Sequence, residues 1–226
     1  MTTSEDRPPT GREMWEKIFP GRAAKLDATA EPEPTAAELA QANREAFLAH
    51  HLHEAPYLFA QAVTDHPQVQ DWAAHYLRNM IGAPSLMLAG GTGTGKTHAA
   101  YGALRHMAAS GWPVISWRGI GAVNLYARLR PGGADDSEAE FTRYASAPLL
   151  LLDDLGATRL SEFVEETTLR LVDYRYARGL PMIVTTNIAP EKLHTVIGRR
   201  TSSRLKQMCQ LVDFGQLDRR QPPKAA

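Results

Sequence analysis

An apolar run that breaks into glycines and then into a helix constrains this chain more than any other stretch. Ser85-Leu86-Met87-Leu88-Ala89 leads into Gly90-Gly91-Thr92-Gly93-Thr94-Gly95-Lys96-Thr97, and a helical pattern follows over Thr97–Ser110. The spacing is G-x-x-x-x-G-K-[ST], placed between a strand and a helix as that phosphate-binding pattern requires. Glycines let backbone N–H groups curl round an anion with no Cβ in the way. The helix N-terminus adds its dipole and its unpaired donors. Lys96 is placed to reach the β- and γ-phosphates, and the Thr97 hydroxyl to ligate Mg2+. A nucleoside triphosphate is the ligand this stretch predicts.

The 226 residues suit one core domain with an appendage, and 43% hydrophobic content is enough for a buried core. Lys and Arg total 25, as do Asp and Glu, so net charge does not point to a nucleic acid, although a local basic patch can hide in a neutral total. One cysteine, Cys209, excludes an internal disulfide and a zinc–cysteine cluster. No run approaches the ~20 apolar residues of a membrane span. The first residues lack a basic start and apolar run, so a cytoplasmic location is expected.

Residues 1–54 read as a partly disordered, partly helical extension. Proline-containing polar sequence brackets Met14, Trp15, Ile18 and Phe19, a cluster at helical spacing that suits either packing on the body or docking of a partner. Thr35–His53 comes next, with Thr35 and Glu38 spaced as a capping box. His50, His51, His53 and Glu54 near its end point in different directions on a helix and read as a solvated end rather than a metal site.

The body, residues 55–215, alternates strands and helices. Helices are expected at His66–Asn79, Ile120–Leu129, Ser137–Tyr144 (capped by Ser137), Ser161–Arg178 (closed by Arg175, Arg178 and Gly179) and Ala189–Met208, broken at Gly198. Strands are expected at Pro113–Trp117, Leu149–Asp153, Pro181–Asn187 and Cys209–Phe214. Four consecutive leucines, Leu149–Leu152, suit a strand buried on both faces. It ends in Asp153 and Asp154. Downstream of a phosphate loop, such a pair reads as a magnesium-holding carboxylate, Asp153, and a water-orienting one, Asp154. The alternation predicts an α/β fold, a parallel sheet flanked by helices, with the ligand at the carboxyl ends of the strands where the loop, Asp153, Asp154 and Asn187 converge. Residues 216–226 read as a polar tail. Tyr126, Arg128 and Arg130 offer either stacking and phosphate contacts to single-stranded DNA or a helix end with dipole-matched cations.

Gly90–Thr97, Leu149–Gly156, Thr185-Thr186-Asn187 and Ser203-Arg204-Leu205, in this order, resemble the AAA+ ATPases, and more narrowly the DnaC-like helicase loaders and IstB-like ATP-binding proteins. The resemblance covers about Tyr57–Arg220. It implies a P-loop NTPase (AAA+) fold with no C-terminal lid domain, and Mg2+-dependent hydrolysis of ATP. Gly90, Gly91, Thr92, Gly93, Thr94, Gly95, Lys96, Thr97 and His98 would bind the nucleotide, and Thr97 and Asp153 the metal. Lys96, Asp153, Asp154, Asn187 and Arg204 would be catalytic. Asn187 would sense the γ-phosphate or the lytic water. Arg204, with Arg200 as the second candidate, would reach the neighbour's site in a homo-oligomer. Asp154 stands where many AAA+ proteins carry glutamate. The resemblance implies a loader that places a replicative DNA helicase, docked on residues 1–54, on single-stranded DNA. The alternatives are a transposition helper ATPase that coats DNA and a nucleotide-gated binding module with little turnover. A P-loop small-molecule kinase would leave Asn187 and Ser203-Arg204-Leu205 unexplained.

Overall fold

A computed structural model of the chain describes residues 55–110 and 117–220, with part of 35–46. The chain divides into Met1–Glu38 and Leu39–Ala226. In the first unit a helix opens at Thr35. The Thr35 N–H and hydroxyl both donate to Glu38 Oε2 at 2.7 Å, the reciprocal bonding expected of a capping box. The cluster at Met14–Phe19 and the histidines at 50, 51 and 53 lie outside the described residues.

The second unit carries one parallel sheet. Its strands are β1 (Ser85–Ala89), β2 (Trp117–Gly121), β3 (Leu149–Asp153), β4 (Met182–Thr186) and β5 (Cys209–Asp213), in the spatial order β2-β3-β4-β1-β5. Its helices are α1 (Pro67–Arg78), α2 (Lys96–Ala109), α3 (Ala122–Leu129), α4 (Ser137–Ala145), α5 (Glu162–Arg178), α6 (His194–Ile197) and α7 (Arg199–Met208). The fold is the expected P-loop NTPase one. Helices cover both faces, so a central strand buries side chains on each of them, and the successive leucines of β3 do so alternately. Leu149 and Leu151 join Trp72, Leu86, Leu104 and Ile183 on the α1/α2 face. Leu150 and Leu152 join Met87, Leu125, Val172 and Leu205 on the α3/α5/α7 face. That is why a run with no polar alternation is still a strand here.

Several boundaries shift from the expected ones. Of Pro113–Trp117 only Trp117 is described, and the strand runs on to Gly121. Ile120 pairs with Leu152 and Gly121 with Asp153, so these residues extend the sheet and α3 starts at Ala122. Asp136, not Ser137, caps α4: its Oδ1 accepts the N–H groups of Glu138 and Ala139 at 3.0 and 2.9 Å. A carboxylate at that position also gains from the helix dipole, which a hydroxyl does not. Ser161 caps α5 as expected, and Gly179 ends it in the left-handed conformation.

Arg175 departs further. Instead of serving as a solvated cation at the end of α5, it is fully buried. Its guanidinium donates to the carbonyls of Tyr144, Ala145 and Ala147, the last two at 3.0 and 2.8 Å, and to that of Pro181. Those carbonyls belong to the chain entering β3 and β4, so Arg175 fixes where both strands start. Burial pushes its pKa down to about 10. Replacing it with alanine would strand four carbonyls and open a cavity. Arg175→Ala is therefore expected to lower stability by roughly 3 kcal/mol or more in urea unfolding, and a loss within about 0.5 kcal/mol, the range of an ordinary surface substitution, would refute this role.

Candidate functional site

The order β3-β4-β1 brings three carboxyl ends side by side, and the site is built from the residues just beyond each strand. After β1 the chain turns through Gly90, Gly93 and Gly95 with φ of 155°, 79° and 97°, backbone that an L side chain rarely adopts, before α2 begins at Lys96. Asp153 and Asp154 come at the end of β3, and Asn187 succeeds β4. Because Leu88 pairs with Thr185 and Leu152 with Val184, these ends are level.

The side chains form one hydrogen-bonded circuit. Lys96 Nζ donates to Gly90 O at 2.9 Å, to Gly91 O at 2.6 Å and to Asn187 Oδ1 at 2.8 Å. Asn187 Nδ2 donates to Asp154 Oδ1 at 2.6 Å. On the other side, Thr97 Oγ1 donates to Asp153 Oδ1 at 2.8 Å, and Thr185 Oγ1 donates to the same oxygen at 2.7 Å. Thr185 Oγ1 also accepts the Asp154 N–H at 2.8 Å, which closes the link between the two aspartates.

A lysine in a glycine loop with no ligand is expected to face solvent, but Lys96 is only 6% exposed. Its short reach back across the loop buries the stem, and the oxygens of Gly90, Gly91 and Asn187 replace water at the ammonium. Burial lowers its pKa, the Asp154 and Asp153 carboxylates oppose that shift, and the Arg220 guanidinium adds to it. Asp154 is the one non-glycine with positive φ, 58°, among the described residues. Its strained backbone is held by the Thr185 hydroxyl on its own N–H and by Leu155 N–H donating to Thr185 O at 2.8 Å. Thr185 is thus a positioning residue of the candidate site, to which the motif Thr185-Thr186-Asn187 gives no role of its own. The available signal is a pair of hydroxyls closing an otherwise aliphatic strand just before Asn187.

The donor set fits what the loop implies. Thr97 and Asp153 offer a hydroxyl and a carboxylate oxygen converging within 2.8 Å, the oxygen chemistry Mg2+ takes. The glycine loop and Lys96 provide the donors for phosphate oxygens. His98 is exposed on the first turn of α2. Arg204 is not drawn to this site within the chain. Its Nε pairs with Asp173 Oδ1 on α5 at 2.6 Å, and its guanidinium lies 4.9 Å from the Tyr176 ring centroid. Arg200 is exposed one turn earlier. The DNA-facing reading of α3 fails for Tyr126. Its ring is 3% exposed and its hydroxyl sits 2.7 Å from Thr168 Oγ1. Burial raises that hydroxyl's pKa. Arg128 is paired with Glu140 at 2.6 Å, and Arg130 lies over the Phe163 ring. Among the described residues no group of three or more His, Cys, Asp or Glu side chains is placed to hold a metal ion, and no helix is long and apolar enough to cross a membrane.

A glycine loop opening a helix, level strand ends carrying two aspartates, and an asparagine bonded to both the loop lysine and Asp154 define a P-loop NTPase domain. The family model of IstB-like ATP-binding proteins matches residues 34–212, and the chain belongs to that family. Among solved structures, a DnaC helicase loader matches with a TM-score of 0.60 at 24% identity, over 70% of this chain and 99% of that one. DnaI matches at 0.57 and 18%, over 77% and 93%. AMPPCP-bound DnaA from Aquifex aeolicus matches at 0.55 and 22%, over 67% of this chain and 47% of that one. No curated protein gives a significant sequence match.

Because Lys96 is buried, its replacement tests binding and packing together. Lys96→Ala is expected to abolish Mg-ATP binding in calorimetry, and Lys96→Met, which keeps the stem, to do so with near-native melting. ATP binding at wild-type affinity by the folded Lys96→Met variant would sink the phosphate-loop assignment.

Proposed function

We propose that this protein hydrolyses ATP and uses the cycle to place a replicative DNA helicase on single-stranded DNA in the cytoplasm. The observation that carries the ATPase reading is the Lys96–Asn187–Asp154 chain of hydrogen bonds. It sets a carboxylate beside the loop cation, joined by an amide whose Oδ1 can take a water in place of the lysine and whose Nδ2 can donate to a phosphate oxygen. In this reading Asp154 orients the attacking water, Asn187 reports the γ-phosphate, and Thr97 and Asp153 hold Mg2+, whose charge would offset that of the phosphates. The likeness to a DnaC helicase loader, and to a DnaA structure with AMPPCP and single-stranded DNA, supports the loading reading. The IstB-like family match favours a second one, a transposition helper ATPase that coats DNA.

Residues 1–54 are proposed as the helicase-docking region. A fragment beginning at Ala55 should bind ATP but lose the host's replicative helicase in pull-down. Helicase retained by that fragment would refute the docking assignment, and duplex DNA coated without any helicase would favour the transposition reading. Asp153→Asn should reduce Mg2+-dependent turnover far more than nucleotide binding.

A cation acting on the transition state is proposed to come from a neighbouring copy, from Arg204 or Arg200. Arginine fingers contribute roughly 10³–10⁵ in rate. Arg204→Ala should bind ATP nearly normally and turn it over slowly, and mixing it with Lys96→Met should restore part of the activity. Normal turnover by Arg204→Ala alone, with slow turnover by Arg200→Ala that Lys96→Met partly restores, would move the role to Arg200.

A further inference from the structure

The residues after β5 do not leave the domain. They run back across the phosphate loop. Phe214 N–H donates to Ala89 O at 2.7 Å, Gly91 N–H to Gly215 O at 2.7 Å and Arg219 N–H to Gly93 O at 3.0 Å. Three backbone bonds thus lay this segment along the loop. The Asp218 carboxylate presses on Gly93, 1.9 Å from where a Cβ would stand, so the close approach needs a glycine there. Asp218 Oδ1 also accepts the Arg220 N–H at 2.9 Å, which tightens the turn carrying both arginines. Arg219 Cδ comes within 3.8 Å of the Cβ position of Gly95, the residue preceding Lys96.

Both arginines are exposed, and among the described residues neither guanidinium lies within ion-pair distance of an acid. Arg220 follows Arg219 directly, in the turn that Asp218 closes beside the loop. Lys96, Arg219 and Arg220 therefore gather about one loop, with Asp218 as the tail's own counter-charge. Like charges brought together cost free energy unless an anion joins them. Guanidinium groups suit phosphate because their fixed fork matches its oxygens.

We propose that the segment Phe214–Arg220 is a wall of the nucleotide site and that Arg219 and Arg220 hold the nucleotide's polyphosphate in cis. The proposal rests on the ATP-binding reading of the loop. It also changes the charge arithmetic of the site: before any neighbour contributes, the chain itself supplies cations besides Lys96. A neighbour's arginine is then left to act on the transition state, not to hold the nucleotide.

The test uses the full chain, a fluorescent ATP analogue with Mg2+, and inorganic tripolyphosphate as competitor. Arg219→Ala and Arg220→Ala should each weaken analogue binding about tenfold, as the loss of one charge-assisted contact does, and the double variant more. Tripolyphosphate should compete less well against the double variant than against wild type, and Arg→Lys at both positions should recover part of the affinity. Wild-type affinity in the double variant, with unchanged melting, would overturn the proposal. So would weakened analogue binding with unaltered tripolyphosphate competition, because the arginines would then touch only the nucleoside. Lys96→Met in the same assay separates the levels. If it also binds normally, the loop reading itself is wrong. If it alone loses binding, only the role of the two arginines falls.

Discussion

Asp153 Oδ1 is the atom on which the site depends. It takes hydrogen bonds from Thr97 on the phosphate loop's helix and from Thr185 on β4 at 2.8 and 2.7 Å. One carboxylate oxygen at the end of β3 therefore ties together three segments remote in sequence. The bonds are available only because β3, β4 and β1 are parallel and their ends are level. A slip of one residue in β3 would point Asp153 to the opposite face and put Leu152 in its place. Register is thus enforced from both ends: by alternate leucines that must fill two different cores, and by Arg175 fixing the carbonyls where β3 and β4 begin.

The same region holds two locally unfavourable arrangements. Lys96 is a buried ammonium, and Asp154 is a non-glycine residue in left-handed backbone. Each costs free energy that the surrounding circuit offsets, and each is poised for exchange. The oxygens now around Lys96 Nζ are neutral carbonyls and an amide, weaker partners for a cation than a phosphate. A polyphosphate bound there would offer a stronger acceptor, and an Asn187 displaced by it would keep its bond to Asp154. Such a coupling would carry a change at the phosphate end to the carboxylate proposed to handle water.

The local parts of this design are legible in the sequence because each is written in contiguous residues: the glycine loop, the leucine run ending in Asp153-Asp154, and the Thr-Thr-Asn turn. The connections between them are not, since they depend on which hydroxyl or guanidinium lands beside which partner. Thr185 looks like an ordinary β-branched strand residue until β3 is laid beside it. Arg175 has the position of a helix-terminal cation, yet it faces inward because α5 presents that side to the start of two strands. Tyr126 sits near two arginines in sequence, but its ring turns into the core while Arg128 pairs with Glu140 at the surface. The tail reads as merely polar, and its contact with the loop becomes visible only once β5 places Phe214 next to Ala89.

The two arginines on α7 differ in what each would have to give up to act on a neighbouring copy as proposed. Arg204 is about a third exposed and already paired with an equally exposed Asp173. A half-solvated pair of this kind is worth at most about 1 kcal/mol, less than a guanidinium gains on a phosphoryl group shielded from water. The pair therefore does not bar Arg204 from leaving, and while it lasts it holds the side chain against Tyr176, with its charge compensated. Arg200, exposed one turn earlier, has no such restraint among the described residues and a larger entropy to lose on docking. On these terms Arg204 is the better prepared of the two, because its release is a single inexpensive exchange of one anionic partner for another.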